Sequence, residues 1–438
     1  MRNFAVRLGV LLGVLGMMGL GSRVLRADEG AARAAAAALS PGLMGQVETE
    51  APVAAKEPEK EEESKVLSFF KSINLDGYLE TSYTYNARGP NTPAPPVENV
   101  GRVFDVESNE FSLNAVELRA VKNVDENNFV GFKVDGLVGQ TAKFIQSEGL
   151  FKQGGASTSD IDLVQAMMMV YVPGVGATIE AGKFITHAGA EVIYSPENDN
   201  FSRSYLFGYA IPFTHTGVMW NQPLLKRGDD EPLLNINGGV ANGWDNVKDL
   251  NDAKMFHLQG VLTAMDGLSF WANLFWSGSE QAGDNANSRT LMDLVLDFRP
   301  LQMMNVEGGE ALKFLLNFDW GGEEGANIVT GGYADWFGLA GIVRYDFSDQ
   351  WYVAGRGEVF QDDGLSRTLG FGAPFVAAGG DDLTVSELTF TLGYLPWEAL
   401  LLRGEVRADW SDERVFNGPD AQDKYNQLTF AIDAIFKI

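Results

Sequence analysis

The chain ends on a segment that needs a partner. From Leu428 to Ile438, Leu428, Phe430, Ile432, Ala434, Phe436 and Ile438 alternate with Thr429, Ala431, Asp433, Ile435 and Lys437, so one face of a β-strand is apolar and the other mostly polar. Left unpaired, such a strand exposes a row of hydrogen-bonding groups. Pairing it with the first strand closes the sheet into a barrel, the one β form that crosses a bilayer, because every backbone group is then satisfied within the sheet.

Segments of the same kind recur along the chain. Alternating stretches, ~10 residues each, lie near 73–86, 109–122, 128–139, 161–172, 176–185, 212–221, 233–242, 254–264, 268–277, 290–299, 311–320, 335–347, 350–361, 384–395, 399–410 and 426–438. They number about sixteen, an even count as in bacterial outer-membrane barrels. Their connections alternate in length. Ala87 to Ser108, Gln140 to Asp160, Thr186 to Ile211, Asp362 to Leu383 and Ser411 to Tyr425 are long, whereas Asn123 to Asn127, Pro173 to Val175, Met265 to Gly267 and Ser348 to Asp349 are tight. Two of the second set, Gln222 to Pro232 and Pro300 to Glu310, read as longer turns. Long outer loops and short periplasmic turns mark a transmembrane up-and-down barrel, while a soluble sandwich has no reason to sort loops by parity.

The amino terminus fits export. Arg2 and Arg7 precede an apolar run from Leu8 to Leu20, then small and polar residues to Ala27, the pattern of a secretory signal peptide over residues 1–27. Residues 28–72 read as a flexible Ala-, Glu-, Lys- and Pro-rich linker, closing on a short amphipathic helix (Val66, Leu67, Phe69, Phe70, Ile73) expected at the barrel rim. Losing residues 1–27 removes four arginines and no acid, which takes the net charge from -26 to -30. Nucleic acid is therefore excluded as a partner on charge. There is no cysteine, so disulfides and thiolate metal sites are excluded too.

Side-chain parity assigns the faces. Leu400, Leu402, Gly404, Val406, Ala408 and Trp410 alternate with Arg403, Glu405, Arg407 and Asp409; four charges on one face cannot point into hydrocarbon and line water instead. The same split sends Met292, Leu294, Leu296 and Phe298 outward and Asp293, Asp297 and Arg299 inward. Trp276, Trp320, Trp336, Trp351, Trp397 and Trp410 fall near strand ends, where an aromatic girdle belongs.

Gly101-Arg-Val-Phe-Asp105 runs into Asn109-Glu-Phe-Ser-Leu-Asn-Ala-Val-Glu-Leu118, and Glu180-Ala-Gly-Lys-Phe184 and Ile211-Pro-Phe-Thr-His-Thr-Gly-Val218 follow. On these stretches the chain resembles the OmpL-like β-barrel porins of the porin-2 family, over roughly Ile73 to Ile438. The resemblance implies a pore and no reaction. It departs at the last residue, Ile438, where such barrels end on Phe or Trp, and Phe436 is the nearest substitute.

By the same analogy the third outer loop, Thr186 to Ile211, folds into the lumen and narrows it. It carries the aromatic residues Tyr194, Tyr205 and Tyr209 and the acids Glu191, Glu197 and Asp199; the acids are expected to face the basic wall residues Arg344, Arg356, Arg403 and Arg407 and set up a transverse field, with Lys183 a further basic residue of the wall. Asp293, Asp297, Glu405 and Asp409 are the acidic wall. Other motifs point to less. Gly174 to Phe184 ends Gly-Lys but lacks the first glycine and the magnesium-binding hydroxyl of a phosphate loop. His187, His215 and His257 lack metal-ligand spacing. Asp362-Asp363, Asp381-Asp382 and Glu323-Glu324 read as solvated loop carboxylates. Neither a cofactor nor a metal is expected.

The function expected is an outer-membrane porin passing small hydrophilic solutes and ions, mildly preferring cations, with membrane lipid and lipopolysaccharide as surroundings. Monomer and homotrimer both stay open. One alternative is a substrate-selective channel with Tyr205 and Tyr209 as a stacking track for sugars. Another is a barrel enzyme such as a lipase, whose mark would be a serine and a histidine converging near the lipid face.

Overall fold

The computed structural model describes residues 65–90, 99–227, 231–368, 380–418 and 422–438; the expected signal peptide and most of the expected linker lie outside them. Sixteen strands form one closed antiparallel barrel. They are β1 (Asn74–Asn86), β2 (Glu110–Lys122), β3 (Val130–Val138), β4 (Ile161–Val172), β5 (Ala177–Ile185), β6 (Thr214–Arg227), β7 (Glu231–Ala241) and β8 (Met255–Met265). The second half follows as β9 (Leu268–Ser277), β10 (Arg289–Phe298), β11 (Leu312–Glu323), β12 (Ala334–Ser348), β13 (Trp351–Asp363), β14 (Asp382–Trp397), β15 (Leu400–Ser411) and β16 (Asn426–Lys437).

Each strand pairs with its neighbour in sequence, and β16 returns to β1, with Tyr78 opposite Lys437 and Asn86 opposite Thr429. The last strand thus finds the partner its pattern requires, and no barrel edge is left unpaired. No helix among the described residues is long and apolar enough to cross a membrane; the strands do the crossing. A short helix α1 (Lys65–Lys71) precedes β1, with Phe69 and Phe70 exposed.

The parity holds. Along β15, Leu402, Val406 and Trp410 are exposed on the outer surface, whereas Arg403, Glu405, Arg407 and Asp409 are buried within the barrel. In β16, Phe430, Ile432 and Phe436 face out and Thr429, Asp433 and Ile435 face in. The inward charges of β15 do not line open water, however, because loops fill the lumen against them.

Two details differ from the sequence reading. Gln222 to Pro232, expected as a longer turn, is mostly strand, since β6 and β7 pair as far as Arg227 opposite Glu231. Pro223 and Pro232 lack a backbone donor, and the register shifts at Pro223/Leu225 and Leu225/Lys226 accommodate them, as bulges do. Trp336 is not part of a lipid-facing girdle. It points inward, fully buried, and its indole N–H donates to the carbonyl of Ala210 at 3.1 Å. Trp276, Trp397 and Trp410 do face out.

The parity yields a direct test. Val406 faces lipid, and an arginine near mid-membrane on that face costs ~2–4 kcal/mol. Val406→Arg should therefore sharply lower the yield of the heat-modifiable folded band on gels, while Val406→Leu leaves it unchanged. Equal yields from the two would mean that the outer face is misassigned.

Candidate functional site

The third outer loop, residues 186–213, crosses the whole lumen. It leaves β5 through Gly189, whose φ of +90° favours glycine. A 3-10 turn (Ser195–Glu197) and a π turn (Leu206–Ala210) follow before β6. A backbone this irregular is tolerated at membrane depth only where its polar groups are met inside the protein, and the wall meets them. Glu405 accepts the N–H groups of Phe201 (2.8 Å) and Ser202 (3.1 Å), and Glu358 those of Tyr205 (2.6 Å) and Leu206 (2.5 Å). Arg403 donates to the carbonyls of Ser195, Asn198 and Asn200 at 3.2, 3.1 and 3.1 Å. Arg407 donates to the Arg203 carbonyl at 2.5 Å, and Arg356 to that of Ser202 at 2.6 Å.

The loop acids fall into two kinds. Glu191 is buried and pairs with Arg356 at 2.7 Å. Asp199 is buried between Lys313 (2.7 Å) and Arg344 (3.2 Å). Both are latches within the fold rather than free charges. Glu197 differs, for its side chain keeps 51% of its exposure, with Arg119 at 3.9 Å. Partial burial raises its pKa, and Arg119 and Lys133 oppose that.

The remaining predicted residues are also accounted for. Lys183 is buried and pairs with Asp162 at 2.9 Å. Asp293 accepts the Gly189 N–H at 3.1 Å, while Asp297 sits lower on the wall beside Arg299 at 3.2 Å. Asp409 receives Arg407 (2.7 Å), Arg102 (2.6 Å) and the Tyr205 hydroxyl (2.9 Å). The tyrosines do not make a stacking track. Tyr194 donates to Asp135 and Tyr205 to Asp409, both buried, and Tyr209 packs between Tyr205 and Phe360. Among the outer acids, Asp362 is buried and accepts the N–H groups of Arg367 and Thr368, and Glu323 pairs with Arg289 at 2.6 Å. Neither is the solvated loop carboxylate that its neighbours suggested.

Three features escaped the sequence reading. The first outer loop also enters the lumen: Arg102 reaches Asp409 and Asp105, and Phe104 packs on Phe207 and Phe213. All three histidines of the chain also meet inside the barrel. The ring of His187 lies 5.6 Å from that of His257, and His257 stacks on Phe275 at 4.1 Å, against which His215 also stacks. This takes them away from the lipid face, where a hydrolase reading would need one. The third feature is a cavity of about 740 Å³ between the loop and the wall from β5 to β11, lined by Glu180, Glu197, Asp297, Lys313 and a run of Asn and Gln side chains.

The chain matches the model of the β-barrel porin-2, OmpL-like family over residues 72–438. It belongs to that family. This porin is therefore a channel protein of the bacterial outer membrane. No curated protein matches it in sequence. Solved barrels share its fold at low identity. The outer membrane channel DcaP of Acinetobacter baumannii is 12% identical with a TM-score of 0.51, covering 84% of this chain and 97% of that one. An anion-selective porin from Comamonas acidovorans is 10% identical at 0.51, covering 84% and 99%. OprB of Pseudomonas putida is 10% identical at 0.51, covering 85% and 96%.

The seat of the third loop in this porin can be disturbed at one atom. Gly338 faces Leu206, and a Cβ there would stand 2.3 Å from Leu206 Cδ1. Gly338→Val should push the π turn off the wall, so single-channel current becomes noisier and Arg203 becomes cleavable by trypsin in the folded protein. An unchanged current and an uncut loop would show that the turn adjusts in place.

The buried His187 ring gives a pH dependence. Burial, with the positive charge of Lys133 adding to it, lowers its pKa from the ordinary 6.5 to about 4, and its Nδ1 has no hydrogen-bond partner. A histidine whose folded pKa is depressed contributes stability in full above its unfolded pKa and loses it as pH falls from there towards the folded value. Acidification from pH 7 to 4.5 should thus lower the temperature at which the folded band is lost. His187→Gln should flatten that dependence, and an identical pH slope in the variant would discard the assignment.

Proposed function

We propose that this porin is a diffusion channel for small hydrophilic solutes and ions with a mild preference for cations, and that Glu197 of the third loop is the principal selectivity charge. One observation carries the reading. The cavity beside the loop presents the carboxylates of Glu180, Glu197 and Asp297 against a single lysine, Lys313, whose amine is already taken by Asp199 at 2.7 Å. A carboxylate at a narrow, low-dielectric passage acts on a passing ion more strongly than one at an open mouth. The wall arginines Arg356, Arg403 and Arg407 are neutralised by acids and loop carbonyls, so they offer an anion little. The reading assigns passage and no chemical step.

We infer also that the barrel assembles as a homotrimer, as a solved form of Vibrio cholerae OmpT does. An apolar recess of about 420 Å³, reached from the outer face, lies beside the closing strands among Tyr83, Phe111, Trp351 and Tyr394. It offers a partner a shaped surface rather than a smooth lipid-facing one.

Reversal potentials in planar bilayers test the selectivity. Glu197→Gln should lower the cation preference with the fold intact. Neutralising Asp381 and Asp382 at the outer mouth should matter less, with an effect that fades as salt is added, because exposed charges are screened beyond ~8–10 Å at moderate ionic strength. If the outer pair dominates instead, the passage beside the third loop is not where ions are selected.

A further inference from the structure

Most of the charges that fasten the third loop lie on β10 to β15; the wall from β6 to β9 carries amides instead, of which Gln259 and Asn273 each hold the His187 carbonyl at 3.2 Å. Asn221 on β6 stands directly across from Asn237 on β7, and Asn237 from Gln259 on β8. Three amides on neighbouring strands make one polar rung ~10 Å long, two strand spacings; Asn237 donates to Gln259 at 2.5 Å within it, and because an amide has up to four hydrogen-bonding positions, Asn221 and Asn237 keep some for a ligand. On the next inward-facing positions, ~7 Å nearer the periplasm, Trp271 stands across from Val295 and makes an apolar rung. Asn221, Asn237, Gln259, Trp271 and Val295 all line the cavity of about 740 Å³, a volume ordinary for a small-molecule site.

We propose that this wall is a binding site for neutral polyhydroxylated solutes, of the size of a mono- or disaccharide. The proposal rests on the channel reading above and adds the class of solute. An amide carries both a donor and an acceptor, as a hydroxyl does, so a rung of amides matches hydroxyl groups without asking for a charge. Asn235, also lining the cavity, has a buried Oδ1 without a partner, an acceptor for a further hydroxyl. A pyranose has an apolar C–H face and a polar rim. The Trp271 indole suits the first, and the amide rung beside it suits the second. An anionic solute would meet carboxylates and a lysine already engaged, and a purely apolar one would leave unused the hydrogen-bonding positions that Asn221 and Asn237 keep.

The test is block of ion current through the full-length protein in planar bilayers, with maltose as the probe and succinate as the charged control. Maltose should block the current saturably and succinate should not. Trp271→Ala and Asn237→Leu should each weaken the apparent maltose affinity roughly tenfold, about 1.4 kcal/mol, while Trp271→Phe retains most of it. The unblocked conductance and the heat-modifiable band of each variant report whether the barrel is intact. Conductance without maltose block, block indifferent to both substitutions in intact barrels, or stronger block by succinate would each overturn the site while leaving the channel standing. A folded protein that passes no current would overturn the channel reading and this site with it.

Discussion

Everything inside the barrel depends on how the wall satisfies the backbone of the third loop. A strand satisfies its neighbour by repetition, but an irregular segment crossing the lumen presents N–H and C=O groups in directions that no ladder can meet. The wall supplies charged partners for them. Glu405 and Glu358 take the N–H groups, and Arg356, Arg403 and Arg407 take the carbonyls. Their own charges are offset in turn, Arg403 by Asp433 at 2.8 Å and Arg356 by Glu387 at 2.7 Å. Buried pairs of this kind add little net stability, yet removing one partner leaves a bare charge and costs ~3–5 kcal/mol. The network therefore fixes where the loop lies more than how stable the barrel is.

That placement divides the lumen in two. On the β12 to β15 side the charges are consumed by the loop. On the β6 to β9 side the wall stays amide-rich and faces the cavity. The side chains left to line the cavity are therefore mostly neutral amides and a few carboxylates, whereas the wall arginines Arg356, Arg403 and Arg407 are taken up by acids and loop carbonyls. The first loop reinforces the division, since Arg102 joins the cluster at Asp409 and Phe104 seals the third loop from above.

Much of this was legible without coordinates. The closing pair of strands, the inward and outward faces of β10, β15 and β16, and the acidic and aromatic content of the third loop follow from a period of two and from loop lengths. What misled was treating inward charge as water-facing charge. Glu191 and Asp199 looked like pore-lining acids of the same kind as Glu197, but arginine and lysine partners bury them. Trp336 looked like a girdle residue because it sits near a strand end; its parity sends it inward, where Gly338 and Ala340 on the same face leave room for the loop.

The sequence by itself determined the barrel, because alternation, turn chemistry and the need to leave no unpaired strand are local constraints that each segment carries independently. The family is carried by particular stretches instead, such as Gly101 to Asp105 and Ile211 to Val218. Only the tertiary structure decided which inward residues share a rung, since cross-barrel neighbours depend on accumulated register, which no single strand encodes. The meeting of His187, His215 and His257 from a loop and two separate strands is of that kind. So is the amide rung of Asn221, Asn237 and Gln259 beside Trp271, and so is the sealing of acids that a sequence shows only as charge.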